Sequence, residues 1–168
     1  MFGLKKKADV VITDPQKIDE LLTRGVEEIF IKDHLREALL SGKQLRVKLG
    51  IDPTGPAIHL GRAIPLRKLK AFQNLGHKAV LIIGDFTAKI ADPSDKLEKR
   101  PMLTDADIKK NLKDYLKQIS LIIDLSKAEI RYNSEWLSGM NSLEIGKLLE
   151  CFTVQQMTKR RNFQERLE

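Results

Sequence analysis

The chain has 168 residues, 42% hydrophobic and 32% charged, which is the balance of an ordinary globular protein with room for one buried core. No apolar run nears the roughly 20 residues that a membrane helix requires, and residues 1–7 carry three lysines with no apolar stretch behind them, so neither a membrane span nor a secretory leader is expected and the cytoplasm is the expected compartment. The net charge of +7 gathers in residues 1–7, 62–70, 96–100 and 159–166, and suits an anionic partner.

The first elements are helical. Ile18, Leu21, Leu22, Ile29, Leu35, Leu39 and Leu40 recur near helical spacing over residues 15–22 and 26–40, with Ser41-Gly42 as a stop. Leu45, Val47, Leu49 and Ile51 then alternate with polar or small residues, which predicts a strand over 45–51 ending in the irregular Asp52-Pro53-Thr54-Gly55-Pro56. Apolar positions return to a period near 3.6 from Leu60 to Leu75, and Gly76 stands where that helix would stop. Ala79-Val80-Leu81-Ile82-Ile83 is a continuous apolar run between glycines, the pattern of a parallel strand covered on both faces.

Residues 86–101 lack a period and read as a loop. Thr104 followed by Asp105 and Asp107 predicts a capped helix running to about Asp124, and Glu129-Ile130-Arg131-Tyr132 a third strand. Residues 134–139, 142–150 and 153–168 read as helices. The lone cysteine, Cys151, forms no internal disulfide and is expected as a buried thiol. The fold class is therefore α/β: a Rossmann-like βαβαβ parallel sheet over residues 45–132, an N-terminal helical segment over 1–44 and a C-terminal helical segment over 133–168.

A doubly wound sheet binds its ligand beyond the carboxyl ends of its strands. Here those ends carry Gly50-Ile51-Asp52-Pro53-Thr54 and Gly84-Asp85-Phe86-Thr87, where glycine lets a ligand approach the backbone and an aspartate accepts from a ribose hydroxyl or pairs with an ammonium group. Each alone is also an ordinary turn. His59-Leu60-Gly61-Arg62 adds an imidazole at a helix start, a glycine after it and a cation. A helix N-terminus favours phosphate, to which His59 can donate, while Arg62 can neutralise developing charge. The alternative is that His59 caps the helix and Gly61 relieves a packing contact.

The string Lys48-Leu49-Gly50-Ile51-Asp52-Pro53-Thr54-Gly55-Pro56-Ala57-Ile58-His59-Leu60-Gly61-Arg62 resembles the first half of the tyrosyl-tRNA synthetase catalytic domain, a class I aminoacyl-tRNA synthetase fold. Leu81-Ile82-Ile83-Gly84-Asp85-Phe86-Thr87, Ala91-Asp92-Pro93-Ser94, Arg100-Pro101-Met102-Leu103-Thr104, Asn133-Ser134-Glu135-Trp136-Leu137 and Phe152-Thr153-Val154-Gln155-Gln156-Met157 continue the likeness in order. The resemblance implies that Gly50, Asp52, His59, Gly61 and Thr87 bind ATP. It puts Lys48 and Asp92 on the amino-acid side, and His59, Arg62 and Thr54 in catalytic positions. It implies ATP with its Mg²⁺ and no protein metal site, tyrosine and tRNA as partners, a homodimer through residues 151–157, and chemistry without a protein nucleophile.

Three residues depart from the family pattern. Arg62 replaces the signature's last histidine, and Ala91 and Asp95 stand where glycines are usual. The second half of the catalytic domain, with its pyrophosphate-gripping loop and side-chain pocket, is expected outside these residues. The departures keep open a noncatalytic, synthetase-derived nucleotide- or RNA-binding module. Tryptophanyl-tRNA synthetases share the fold and signature, and the Gly84–Thr87 and Asp92-Pro93-Ser94 loops favour the tyrosine branch; small adenylyltransferases also set such a helix start against ATP phosphates, but the pairing of Asp52-Pro53-Thr54 with Asp92-Pro93-Ser94 is not their usual pattern.

Overall fold

The computed structural model describes residues 10–55, 57–90, 103–159 and 164. Asp14 opens α1 (Pro15–Thr23): its carboxylate accepts from the backbone N–H groups of Gln16 at 2.9 Å and Lys17 at 3.4 Å, and Pro15 fills a first-turn position that has no intrahelical partner to lose. The second helix, α2 (Lys32–Leu40), starts later than its apolar spacing predicts. Gly25 at φ 63° and Ile31 at φ 55° both take the left-handed conformation, which interrupts helical hydrogen bonding, so Ile29 reaches the core from a non-helical segment.

Three parallel strands follow, β1 (Arg46–Ile51), β2 (Lys78–Ile83) and β3 (Glu129–Tyr132), in the order β1-β2-β3. Ile51 lies opposite Ile83, and Ile83 opposite Tyr132, so all three strands finish at one pole. The crossovers are α3 (Leu60–Asn74) and α4 (Asp105–Ser120), both packed on the same sheet face. Alternation decides which residues they meet: Ile51, Leu81 and Ile83 point toward Leu66, Tyr115 and Ile119 in one cluster. At about 25 cal/mol per Å² of apolar area removed from water, this cluster is the main stabilising element of the sheet.

On the other sheet face Val80 is buried and Ile82 half-buried, as the apolar run in β2 leads one to expect, and that face is open along β1, where Arg46, Lys48 and Gly50 are exposed. Arg46, Lys48, Val80, Ile82, Arg131 and Trp136 bound a cavity of about 380 Å³ there. Arg46 reaches across β2 and donates to both carboxylate oxygens of Glu129, at 2.7 and 3.2 Å, and that guanidinium holds the Glu129 carboxyl below its usual range.

The first two helices bury Ile18, Leu21, Leu39 and Leu75 against the end of α3. Lys68 of α3 fixes this packing by donating to the carbonyls of Leu21 (2.8 Å) and Arg24 (2.6 Å), which are free at the end of α1. The end of α3 is itself a Schellman turn: His77 N donates to Phe72 O at 3.1 Å and Gly76 N to Gln73 O at 3.0 Å. Gly76 sits at φ 87°, and a Cβ there would lie 2.3 Å from the Val10 carbonyl oxygen, so no other residue fits without moving the chain.

After β3 come α5 (Ser134–Leu137), α6 (Ser142–Glu150) and α7 (Val154–Thr158). The last is short, and residues 160–163 and 165–168 of the expected helix lie outside the described residues. Cys151 is exposed at the end of α6 rather than buried, because this helix buries none of its residues.

His77 gives the fold a pH dependence. Its ring is 3% exposed, Nδ1 accepts from Leu45 N at 3.3 Å, and Nε2 has no partner. Burial holds its pKa below the ordinary value. The unfolded chain therefore takes up a proton near pH 6.5 that the folded chain refuses, and stability is full above that pH and falls as the pH drops through it. Calorimetric melts from about pH 7.5 to about pH 5.5 should show this fall, and His77→Asn, whose Oδ1 stands where Nδ1 accepts from Leu45 N, should flatten it.

Candidate functional site

The three strand ends carry side chains that bind one another. Gly84 N donates to Ile51 O at 2.9 Å and Asn133 N to Ile83 O at 2.9 Å, which continues strand pairing one residue past each end. The Thr87 hydroxyl, at a 3₁₀ turn (Thr87–Lys89), donates to Asp52 Oδ1 at 2.8 Å and accepts from Asn133 Nδ2 at 2.9 Å. Asn133 Oδ1 accepts in turn from Phe86 N at 2.9 Å. A Cβ on Gly84 would stand 1.6 Å from Asp52 Oδ1 and 2.5 Å from Thr87 Oγ1, so glycine is required for the carboxylate to lie where it does.

Asp85 is not available to a ligand in the same way. It accepts from Ser134 N at 3.0 Å and from the Ser134 hydroxyl at 2.6 Å, which fixes the start of α5. Lys89 pairs with Asp105 at 2.6 Å, bringing the 3₁₀ turn to the start of α4 and lowering the Asp105 pKa. Thr104 and Asp107 cap α4 reciprocally.

His59 is the residue before the first turn of α3, with extended backbone (φ −77°, ψ 163°) and no capping bond from its side chain. Its carbonyl accepts from Arg62 N and Ala63 N, while its exposed imidazole lies over Gly61: a Cβ at Gly61 would be 3.1 Å from His59 Nδ1. The helix start thus keeps an uncommitted imidazole beside free N–H groups, with no acidic residue in its first turn to compete for them. Pro65, inside α3, has no N–H and leaves the Gly61 carbonyl without its helical donor.

The Arg62 guanidinium, expected to face phosphate, turns onto the loop instead. Nη1 donates to the Asp52 carbonyl at 2.8 Å and the Tyr115 hydroxyl at 2.6 Å, and Nη2 to the Thr54 hydroxyl at 3.1 Å. The structure therefore brings Asp52, Thr54, His59, Gly61, Arg62 and Thr87 to one pole. Gly50 lies on β1 two residues before Asp52, on the open sheet face with Lys48. Lys48 is exposed and borders both the open-face cavity and a second, apolar cavity of about 420 Å³ beside α1, α2 and α3. Asp92 lies outside the described residues.

Asn133 was not among the residues singled out as a site, although it joins the second and third strand ends. Its signal was its place after a strand, which any turn former can occupy, and its place at the head of the Asn133–Leu137 string that shares the family likeness. Among the described residues no group of three or more His, Cys, Asp or Glu is arranged to hold a metal ion, and no helix is long and apolar enough to cross a membrane.

A parallel α/β sheet with an imidazole at a helix start and a glycine-backed carboxylate at the neighbouring strand end defines a nucleotide-binding class of fold. Residues 40–168 match the family of class I tRNA synthetases of the W and Y type, and the chain belongs to that family. It is 46% identical over 150 residues to the tyrosine–tRNA ligase of Dehalococcoides mccartyi, covering 89% of this chain and 38% of that enzyme. The Thermotoga maritima tyrosine–tRNA ligase is 43% identical over 154 residues, 92% of this chain and 38% of the enzyme. The chain thus spans less than half the length of the curated relatives it matches.

Among solved structures, a tyrosyl-tRNA synthetase from Archaeoglobus fulgidus complexed with L-tyrosine superposes with TM-score 0.65 at 28% identity, covering 84% of this chain and 42% of that one. A C-terminally truncated mitochondrial tyrosyl-tRNA synthetase from Aspergillus nidulans shares the fold at TM-score 0.71 and 20% identity, over 90% of this chain and 47% of that one. These likenesses do not favour the noncatalytic module.

Gly84→Ala should test the strand-end lock. Asp52 can swing away from the new methyl only by leaving Thr87, so chemical denaturation should show a loss of about 1–2 kcal/mol. Gly139→Ala, where an added Cβ meets nothing within 4 Å, is the control and should lose much less.

Proposed function

We propose that this chain forms the ATP-facing part of a tyrosine–tRNA ligase active site, which in the whole enzyme activates tyrosine with ATP and transfers it to tRNA. The observation that carries the reading is the unpaired His59 imidazole at the α3 N-terminus, beside an Asp52 carboxylate locked by Gly84 and Thr87. It is supported by the family to which the chain belongs and by its tyrosine–tRNA ligase relatives.

In this reading the tyrosine carboxylate attacks the α-phosphorus of ATP, a mixed anhydride forms, and pyrophosphate leaves with the electrons of the broken P–O bond. The protein supplies no nucleophile. His59 donates to phosphate oxygens as negative charge builds on them, assisted by the N–H groups of the α3 start. Gly61 leaves the space that a side chain would take from adenosine. Gly50 and Asp52 line the adenylate, Thr87 holds Asp52 and borders ATP, and Thr54 stands at the reacting pole with Arg62. Lys48 and Asp92 serve the amino acid. Mg²⁺ enters with ATP as counter-charge to the phosphates, not on a protein site.

Tyrosine-dependent ATP–pyrophosphate exchange in the whole enzyme, with calorimetric titration of ATP into this chain, tests the reading. His59→Ala should lower exchange by about 10²–10³-fold, the scale for removing one donor to a developing oxyanion. Exchange unchanged by that substitution would remove His59 from the mechanism, and a chain that takes up no ATP would remove the nucleotide site.

The partners in this reading include tRNA and a second copy of the chain, in the cytoplasm. Leu143 (68% exposed), Leu149 (65%), Phe152 and Val154 are exposed apolar residues in and beside α6 and α7, and they begin before the segment 151–157 expected from sequence. Exposed apolar side chains gathered in one segment suit a surface that a second copy covers. Leu149→Glu should shift the sedimentation profile from dimer toward monomer; a parent chain that stays monomeric at high concentration would refute the dimer.

A further inference from the structure

The segment from residue 53 to residue 58, of which residue 56 lies outside the described residues, joins Asp52 to His59 at the pole. Its support comes from α4, more than fifty residues later in the chain. Asn111 Nδ2 donates to the Pro53 carbonyl at 3.1 Å, the Tyr115 hydroxyl accepts from Arg62 at 2.6 Å, and Gln118 Oε1 accepts from Ile58 N at 2.8 Å. Positions 111, 115 and 118 are spaced four and three residues apart, so they form one stripe on one helix face. Arg62 closes the arrangement from the first turn of α3. Its guanidinium carbon lies 5.8 Å from the Tyr115 ring centroid, and both Nη1 protons and one Nη2 proton go to Tyr115, Asp52 and Thr54.

We propose that Arg62 and the Asn111–Tyr115–Gln118 stripe form a brace that presets the 53–58 loop for ATP, so that Arg62 acts as a positioning residue through the loop rather than as a phosphate ligand. Tyr115 is 2% exposed, so its hydroxyl needs a hydrogen-bond partner, and Arg62 Nη1 is the donor it accepts from. Arginine suits the arrangement because its planar fork presents two separate nitrogens to three acceptors in fixed directions, whereas lysine's three protons all leave one nitrogen and an imidazole has at most two N–H donors. A loop already held in its binding geometry loses less conformational freedom when the ligand arrives, and binds it more tightly for that reason. The proposal rests on the nucleotide reading of the pole for its ligand, but not for the existence of the brace.

Two variants separate the brace from a charge effect. Tyr115→Phe removes only the acceptor hydroxyl and keeps the ring in the core. Arg62→Lys keeps the positive charge and removes the fork. Amide hydrogen exchange at Ile58 reads the loop, exchange at Leu81 reads the sheet, and calorimetry reads ATP affinity. The brace requires both variants to lose Ile58 protection by at least tenfold with Leu81 unchanged, and to weaken ATP by about tenfold, the worth of one hydrogen bond to a charged group. If Arg62→Lys keeps parental ATP affinity, Arg62 acts as a charge and the positioning role is overturned. If both variants keep parental Ile58 protection, there is no brace. If the parent itself binds no ATP, the nucleotide reading fails, while the Ile58 exchange still decides whether the stripe holds the loop.

Discussion

Everything at the pole depends on the bare Cα of Gly84. Parallel pairing sets Ile51 opposite Ile83, so the next residues, Asp52 and Gly84, are forced to be neighbours, and Gly84 N is bound to Ile51 O. Held by Thr87, the Asp52 carboxylate lies over residue 84, with Oδ1 1.6 Å from the place of a Cβ. With that space empty, Thr87 can bridge Asp52 to Asn133, and the third strand end joins the first two. A single missing methyl group therefore allows three strands to end in one connected network.

The regular elements were legible because their burial is periodic. Val47, Leu49 and Ile51 alternate in β1, and Leu66 and Leu69 sit on one face of α3, so the pattern that packs against the core is also the pattern visible along the chain. The capped start of α4 and the glycine after α3 were legible for the same local reason: Thr104 and Gly76 act on residues within five positions of themselves. What escaped was non-local or conformational. Asn133 bonds Thr87 and Phe86 across 46 and 47 residues, and the left-handed Ile31 interrupts an apolar spacing that reads as helix. The apolar run of β2 was legible for the same reason as the other regular elements, since Val80 and Leu81, on opposite faces, are both buried.

The site residues divide along the same line. His59, Gly61 and Asp52 were readable as types with a chemistry at a strand or helix end. The orientation of Arg62 was not, because a cation at a helix start is equally able to face a ligand or to turn back. Its choice is set by Tyr115, whose buried hydroxyl and ring offer an acceptor and a π-face on the protein side. Asn111 and Gln118 look like solvated residues on a helix surface in sequence, and become loop contacts only once α4 is laid beside the 53–58 turn.

The result is a division of labour between groups that are held and groups that are free. Asp52, Thr54, Thr87, Asn133 and Arg62 bind one another or the backbone, so their positions are set before any ligand arrives. His59 has no capping bond from its side chain, and Lys48 is exposed. Free donors on a backbone held from behind suit a reaction that proceeds by positioning and charge stabilisation, because a donor already bound inside the protein would first have to break that bond. In the proposed nucleotide reading, the long contacts from α4 and β3 serve the pole as much as the short motif at its mouth, since they hold the backbone from which the free groups project.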